Sequence, residues 1–265
     1  MKKLLTLLAL TISFSMNAQM TDNSSGTSAT GTNSVAMGHD TTASGSASTA
    51  MGEGTTASGD YSIAMGRFST ASGAFSTAMG GGATASGLVS TAMGGGTIAS
   101  DYGSLVIGSY NSAGSSVTNS ASAFNTANTA FVIGNGTASN AKSDAFKVMF
   151  NGDATVSNDL TVSGDVNVSS DARLKSNIVS LGPTLSKLLL IDGKSYTINK
   201  DGEEKIGVLA QDIKEVFPEL VGTDDNNMLT VNYQGLVPVL INAIKEQQSE
   251  IDELKEMVQE LVQRD

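Results

Sequence analysis

The sequence predicts a chain in two parts: a mainly β repeat array, followed by a small α+β domain that ends in a coiled-coil helix. Three observations support this fold class. A Met-Gly or Ile-Gly pair recurs every 14 residues between Met37 and Ile107. Beyond Asp171 charged residues become frequent, and all three prolines of the chain lie there. A heptad pattern of apolar residues runs from Val237 to Leu261, which is typical of a coiled coil.

The chain begins with a segment typical of an export signal. Two lysines precede an apolar run from Leu4 to Phe14, and small and polar residues follow. Because this run is shorter than the roughly 20 residues of a membrane-spanning helix, we predict a signal peptide over residues 1–18, cleaved near Ala18 or Gln19. The mature chain is then expected to be exported, secreted or at a cell surface, with no membrane span of its own.

Composition argues against several classes of function. The 265 residues include no cysteine, and their formal net charge is -11. An exported chain without disulfides is expected to rely on repetition and oligomerisation for its stability. The acidic balance disfavours nucleic acid as a partner. His39 is the only histidine, which argues against a histidine-centred metal site, and we expect neither metal nor cofactor.

Each repeat is a short unit that begins with a serine and reaches the Met-Gly pair. Most copies continue into an Ala-Ser-Gly turn such as 43–45, and this turn decays in the last copies, first at 99–101. A fixed period predicts stacked units that bury their apolar faces against their neighbours. No unit holds a helix-length apolar pattern, so each is predicted to form one or two short strands joined by turns. The pairs begin at Met37, Met51, Met65, Met79, Met93 and Ile107.

Both faces of the repeated strand are apolar, because adjacent residues such as Ala50 and Met51 point to opposite faces. A coil of 14 residues encloses little volume, so one face is expected to pack on neighbouring copies. The turns carry variable residues, and Tyr61, Phe68 and Phe75 are candidate contact residues. We favour a spacer or generic adhesive surface over a specific binding head, since no unit concentrates polar groups as a pocket does. No ligand can be named.

These units resemble the head repeats of YadA-like trimeric autotransporter adhesins, which carry a Ser-x-Ala-Ile/Met-Gly strand and an Ala-x-Gly turn. The resemblance covers residues 27–115, and we assign 19–115 to an adhesin-like head. It implies a parallel left-handed β-roll, three chains side by side and a surface-exposed role. The chain reaches Asp265 in a helical segment, without the membrane-spanning strands of true autotransporters, which puts anchoring by that route in doubt.

Residues 116–169 drift from the period and are predicted to form a β neck. Strand-like segments lie at 130–134 and 144–148, followed by an Asn-Gly-Asp turn at 151–153. Alternating valine and polar residues at 155–166 predict further narrow strands rather than a globular core.

From residue 170 the signals are those of an α+β domain. Short helices are expected at 185–190 and 210–216, and strands at 194–198, 205–209 and 230–233. The last helix, over about residues 236–263, carries the heptads. Its β-branched and leucine positions favour two strands, whereas a polar residue stands at one core position, Gln247, so this helix alone leaves dimer and trimer open.

Ser170 and Lys175 lie five residues apart at the junction between the two parts. A serine hydroxyl becomes a nucleophile when a base takes its proton, and a lysine can be that base if burial lowers its pKa from the usual value of about 10.4. Serine-lysine pairs are a known variant of the catalytic triad. Alternatively, Ser170 ends a turn and Lys175 is a solvated cation. Ser169 is a rival nucleophile.

Several blocks of this domain resemble, in order, the C-terminal intramolecular chaperone of phage endosialidases and tail spikes. The resemblance covers residues 170–265 and implies a domain that helps three chains find their register and then cuts itself off through a serine-lysine dyad. It makes Ser170 the nucleophile and Lys175 the base of a single-turnover peptidase, with the cut at Ser170, before Asp171. The blocks are 170–178, 206–212, 218–220, Tyr233 and 243–246.

Together these features predict an exported, homotrimeric, fibre-like adhesin whose C-terminal domain releases itself. The main alternative is a non-enzymatic adhesin or spacer in which that domain stays attached as a trimerisation cap. A phage fibre accounts for the C-terminal domain but not for the signal peptide. A hydrolase that acts on other molecules is the least supported interpretation, because no second cluster of acid, base or metal ligands is evident.

Overall fold

The computed structural model describes residues 20–21, 25–112, 117–200, 202–224 and 227–264. The predicted signal peptide, residues 1–18, lies outside the described residues. The chain divides after Val166 into two compact units, and each is described by itself.

The first unit is a β-solenoid in which each repeat contributes one long and one short strand. The long strands pair in parallel as one sheet, and the short strands pair in parallel as a second sheet. The register is one repeat per coil, so that Met37 pairs with Met51 and Met51 with Met65. The strands are β1 (Met20–Thr21), β2 (Ser28–Ala29), β3 (Val35–His39), β4 (Thr42–Ala43), β5 (Thr49–Glu53), β6 (Thr56–Ala57), β7 (Ile63–Arg67), β8 (Thr70–Ala71), β9 (Thr77–Gly81), β10 (Thr84–Ala85), β11 (Thr91–Gly95), β12 (Ile98–Ala99) and β13 (Leu105–Ser109). The stacked repeat array that the sequence predicts is confirmed.

Alanine lines most of the interior of the array. From β3 to β12, one alanine of each strand is fully buried, as Ala50 and Ala57 show, and Val106 takes this place in β13. The methionine that follows on the long strand, such as Met51, points to the opposite face and is half-buried. Only small side chains fit inside so narrow a coil, so the array closes around alanine and presents methionine outward.

Coils approach each other closely at the repeated Ala-Ser-Gly turns, as they do at the Met-Gly pairs, where a Cβ added to Gly52 would lie 2.0 Å from the backbone oxygen of Gly66. A Cβ added to Gly59 would lie 2.1 Å from the backbone oxygen of Gly73 in the next coil. Glycine is required at this position by the close approach of two backbones. The strict recurrence of this residue type in the repeat follows from that contact.

Hydroxyl side chains are buried at the corners of the coils, where they divide into two kinds. Ser69 Oγ donates to the carbonyl oxygens of Met65 and Gly80, at 3.0 and 2.9 Å. Ser62 Oγ is buried without a hydrogen-bond partner among the described residues. Ala83 is fully buried one coil after Ser69, so this corner of the coil also accepts a residue with no hydroxyl.

The array ends at buried polar side chains that the repeat does not contain. Asn111 Oδ1 accepts a hydrogen bond from Ile98 N at 2.7 Å, and its Nδ2 donates to Ile98 O at 3.0 Å. This side-chain amide therefore occupies the place of a further short strand beside β12. The carboxylate of Asp101 accepts from the backbone nitrogens of Thr118 and Thr129, at 2.6 and 2.8 Å. The decay of the repeat at 99–101 is thus a structural terminus.

The predicted β neck forms in its first half only. β14 (Thr129–Asn135) extends the long-strand sheet in parallel, and β15 (Asp144–Met149) and β16 (Ala154–Val156) follow as antiparallel strands. The expected strand at 160–166 is not formed: residues 157–169 carry no strand, and their side chains are exposed. A strand needs a partner for its backbone groups, and no strand among the described residues pairs with this segment.

The second unit is a small α+β domain with a long final helix, as the sequence predicts. β17 pairs with β18 and β19 with β20, both antiparallel. Its core is small and centres on Ile213, Phe217 and Val239. The elements are α1 (Leu185–Leu188), β17 (Lys194–Thr197), β18 (Glu204–Gly207), α2 (Ala210–Val216), β19 (Val221–Thr223), β20 (Leu229–Val231) and α3 (Leu236–Val262), with 3₁₀ turns at Ala172–Leu174, Pro218–Leu220 and Tyr233–Gly235.

Hydrogen bonds connect helix α3 to the N-terminal end of α1. Thr184 is buried, and its Oγ1 donates to the carbonyl oxygen of Val239 at 2.8 Å. The carboxylate of Glu246 accepts from the backbone nitrogen of Leu185 at 3.2 Å, which satisfies a group at the helix start. The final helix is therefore part of the domain as well as its C-terminal extension.

The heptad residues of α3 are exposed in the single chain. Ile244 is 63% exposed and Leu254 56%. A continuous apolar stripe on a surface helix marks an interaction site. In the described part of the chain, no helix combines the length and apolar character that crossing a bilayer requires. The stripe consists of Val237, Leu240, Ile244, Ile251, Leu254, Val258 and Leu261.

Candidate functional site

Ser170 and Lys175, the predicted dyad, are in direct contact. Lys175 Nζ donates a hydrogen bond to Ser170 Oγ at 2.7 Å. The 3₁₀ turn Ala172–Leu174 reverses the chain between them and is closed by a bond from Lys175 N to Ala172 O at 3.1 Å. Both groups therefore belong to one short segment, and the bond of Lys175 goes to Ser170 rather than to the rival nucleophile Ser169.

Asp171 and Arg173 fix the turn that joins the dyad. Asp171 is the N-cap of the turn: its Oδ1 accepts from Arg173 N at 2.8 Å. The side chain of Arg173 also donates to both carboxylate oxygens, from Nε to Oδ1 at 3.0 Å and from Nη2 to Oδ2 at 2.8 Å. These hydrogen bonds hold the pKa of Asp171 below its usual value. Sequence reasoning used Asp171 only to mark the cut; its suitability as an N-cap residue was the signal for its second role.

The dyad lies in an exposed segment of the chain. Ser170, Asp171 and Lys175 are all exposed, as are residues 151–181 as a whole. The burial that sequence analysis requires for a lysine base is therefore not supplied by the single chain.

The predicted contact residues of the array lie on its two turn edges. Tyr61 and Phe75 stack with ring centroids 5.0 Å apart and planes 3° from parallel. On the other edge, the Arg67 guanidinium lies 4.5 Å from the Phe68 ring centroid. All three aromatic side chains are more than half exposed. Among the described residues, no three His, Asp or Glu side chains come together as metal ligands would.

Both parts of the chain match family models. Five overlapping matches between residues 29 and 111 are to the model described as YadA head domain repeat. Residues 170–222 match the model described as chaperone of endosialidase. Both predicted resemblances are confirmed for these segments, and the second match begins at the dyad serine.

A curated phage protein is also similar to part of the chain. The long tail fiber protein Gp37 of Salmonella phage S16 is 35% identical over 102 residues. The alignment covers 34% of this chain and 13% of the phage protein. Taken with the two family matches, this similarity fits a tail-fibre or adhesin-type protein that carries a chaperone domain.

Proposed function

We propose that this chain is an exported, homotrimeric adhesin-type fibre protein, displayed at a surface or secreted, whose C-terminal unit directs assembly and then cuts itself off between Ser170 and Asp171. The observation that carries the proposal is the 2.7 Å contact between Lys175 Nζ and Ser170 Oγ. It lies at the first residues of the segment that matches the chaperone of endosialidase.

Two apolar surfaces support assembly from several copies. Ile251 on α3 and the half-buried Met51 on the array both lie on faces that one chain leaves uncovered. Full burial of one such side chain stabilises an interface by about 1.5–3 kcal/mol. The heptads would bring the copies together at one end, and the methionine face would align them along the array.

Assembly would also complete the chemistry of the dyad. Burial of Lys175 between copies would favour its neutral form, which can take the hydroxyl proton of Ser170. The peptide bond to be cut is part of the same assembly, so no substrate pocket is needed to concentrate it. Cleavage then separates Ser170 from Lys175, which limits the reaction to one turnover.

The repeat array gives a reason for a dedicated assembly domain. Because each coil resembles the next, neighbouring chains that slip by one 14-residue unit lose little interface energy. A C-terminal unit that associates first would set the register before the arrays pair. Its later removal would make the assembled state kinetically trapped.

Two observations favour alternatives to this proposal, namely a retained C-terminal unit and a fibre on a phage particle. The exposure of Ser170 and Lys175 favours the alternative in which the C-terminal unit remains as a trimerisation cap. The phage relative favours a fibre on a phage particle, whereas the predicted signal peptide favours export from a cell. Detection of a mature chain that starts near Gln19 would support export.

The deciding experiment is expression of the full chain, followed by denaturing electrophoresis and mass spectrometry. The wild type is expected to release a fragment that begins at Asp171, whereas Ser170→Ala and Lys175→Ala chains should stay whole. Ser176→Ala changes another exposed serine of the same segment and should leave cleavage unaltered. Cleavage of both dyad variants would refute the assignment, and an assembled but intact wild type would favour the cap.

A further inference from the structure

We propose that the dyad of one copy cuts its neighbour: Ser170 Oγ of one chain attacks the carbonyl carbon of Ser170 in the next chain. This inference rests on the proposed self-cleavage between Ser170 and Asp171. It names a second copy of the chain as the substrate of each dyad.

The chemistry of a single residue excludes the simplest alternative. Attack by Ser170 Oγ on its own carbonyl carbon would close a four-membered ring, in which the attacking oxygen cannot align with the carbonyl as reaction requires. The preceding carbonyl, that of Ser169, is reached through a five-membered ring. That attack, however, breaks the bond before Ser170 and leaves Ser170 on the released fragment.

The geometry of the junction suits attack on an outside carbonyl. The nucleophile and base are already paired within one chain at 2.7 Å, so the neighbour need supply only the bond to be cut. Ser170 and Lys175 are exposed and can receive a carbonyl from outside. The Ser170–Asp171 bond is equally accessible, because it lies in the exposed stretch 151–181 and enters the turn with Asp171 in an extended conformation.

The reaction balances without any further reagent except water. Ser170 Oγ bonds to the neighbour's carbonyl carbon, and its proton passes to Lys175 Nζ. The carbon–nitrogen bond of the neighbour's Ser170–Asp171 peptide then breaks, and Lys175 returns the proton to the departing nitrogen of Asp171. Water hydrolyses the ester that joins the two chains, which restores the hydroxyl and leaves a carboxylate on Ser170 of the cut chain.

This arrangement couples cleavage to assembly through the substrate. A head-to-tail contact between identical chains closes into a ring when the rotation allows. Each of three copies can then offer its dyad to one neighbour and its Ser170–Asp171 bond to the other, until its own cleavage separates Ser170 from Lys175. A lone chain has a paired dyad, but its own Ser170–Asp171 bond is out of reach of Ser170 Oγ. Cleavage therefore waits for association even though Ser170 and Lys175 already touch.

The test uses mixed assemblies of full chains. Ser170→Ala chains with a C-terminal affinity tag are co-expressed with untagged wild type, and co-purification of the untagged chain through the tag verifies mixing. Tagged chains alone should release no fragment. In mixed assemblies they should release a tagged fragment whose first residue, by mass spectrometry, is Asp171. A tagged Ser169→Ala chain should be cut with or without wild type.

Other results of the same experiment would overturn the inference. If wild-type chains are cut while co-assembled Ser170→Ala chains remain whole, attack is within one chain and the inference is wrong; a wild-type fragment that begins at Ser170 has the same meaning. Mixing Ser170→Ala with Lys175→Ala chains should restore nothing, since the dyad forms within one chain. If assembled wild type is not cut at all, the proposed function itself fails, and this inference with it.

Discussion

The two units of this chain treat their apolar side chains in opposite ways. In the array, Ala50 and its equivalents in the other coils are fully buried within one chain. In the C-terminal unit, Val179 and Ile206 are 83% and 85% exposed, and the heptad stripe of α3 is uncovered. A coil of the array is completed by the next coil of the same chain, whereas the C-terminal unit leaves much of its apolar surface for another molecule.

This contrast assigns different tasks to the two units. Stacking of coils within one chain buries the interior of the array but does not determine which coil of a neighbouring chain each coil would contact. The C-terminal unit has a small core around Ile213 and Phe217 and an exposed apolar stripe on α3, to which the proposed function assigns association. Mutations should therefore separate into those that abolish assembly and those that weaken the coils.

The largest effect is expected from Ile251→Lys in the heptad stripe. Each copy would lose about 1.5–3 kcal/mol of interface burial and would place a charge in the contact, so the assembly should dissociate into single chains. Light scattering measures this directly. Glu253→Lys changes a solvated position of the same helix and should leave the assembly intact. An assembled Ile251→Lys protein would mean that α3 does not mediate association.

Gly59→Ala should weaken the array most. The added Cβ would lie 2.1 Å from a backbone oxygen of the next coil, and such overpacking costs about 3 kcal/mol. Urea unfolding followed by circular dichroism should show the loss. Gly81→Ala adds the same atom where nothing lies within 4 Å and should change stability by less than about 0.5 kcal/mol. Equal effects of the two substitutions would contradict the close approach.

Asn111→Ala tests the terminus of the array. Without the amide, the backbone N–H and C=O of Ile98 lose their partners, at a cost of about 1–3 kcal/mol. The loss should appear as faster hydrogen exchange at Ile98, while amides of the central coils keep their protection. Asn140→Ala, at an exposed position, is the matched control. Uniform loss of protection along the array would show that the terminus is not a separate structural feature.

The smallest effects should come from the buried hydroxyls. Ser69→Ala removes hydrogen bonds to Met65 O and Gly80 O and should cost about 1 kcal/mol. Ser62→Ala removes a hydroxyl that has no partner among the described residues and should be neutral or slightly stabilising. The urea midpoint distinguishes the two variants. A larger loss for Ser62→Ala would mean that its hydroxyl is bonded in the assembled protein.

The sequence predicted the structural features that recur along the chain but missed those that occur a single time. The period identified the coils, because each of Met37 to Met93 meets its equivalent one unit later. It could not identify Asn111 as a terminus, since a side-chain amide that replaces a strand occurs a single time. It also placed a strand at 160–166, where alternation is present but none of the described strands lies alongside as a partner.

The candidate site was predicted in the same partial way. Motif resemblance paired Ser170 with Lys175, and the structure places them 2.7 Å apart. Sequence reasoning missed the role of the Asp171–Arg173 contact in shaping the turn, because that contact depends on local backbone geometry. It also required a buried base, whereas Lys175 is exposed among the described residues.

Because the coils pair in register, the length of the array is proportional to its number of repeats. Each 14-residue unit adds one strand to each sheet, and neighbouring strands are about 4.8 Å apart. Gain or loss of whole units therefore changes the length of the array in equal steps while every remaining coil meets the same kind of neighbour. Length can thus be adjusted by duplication or deletion without redesign of the interior.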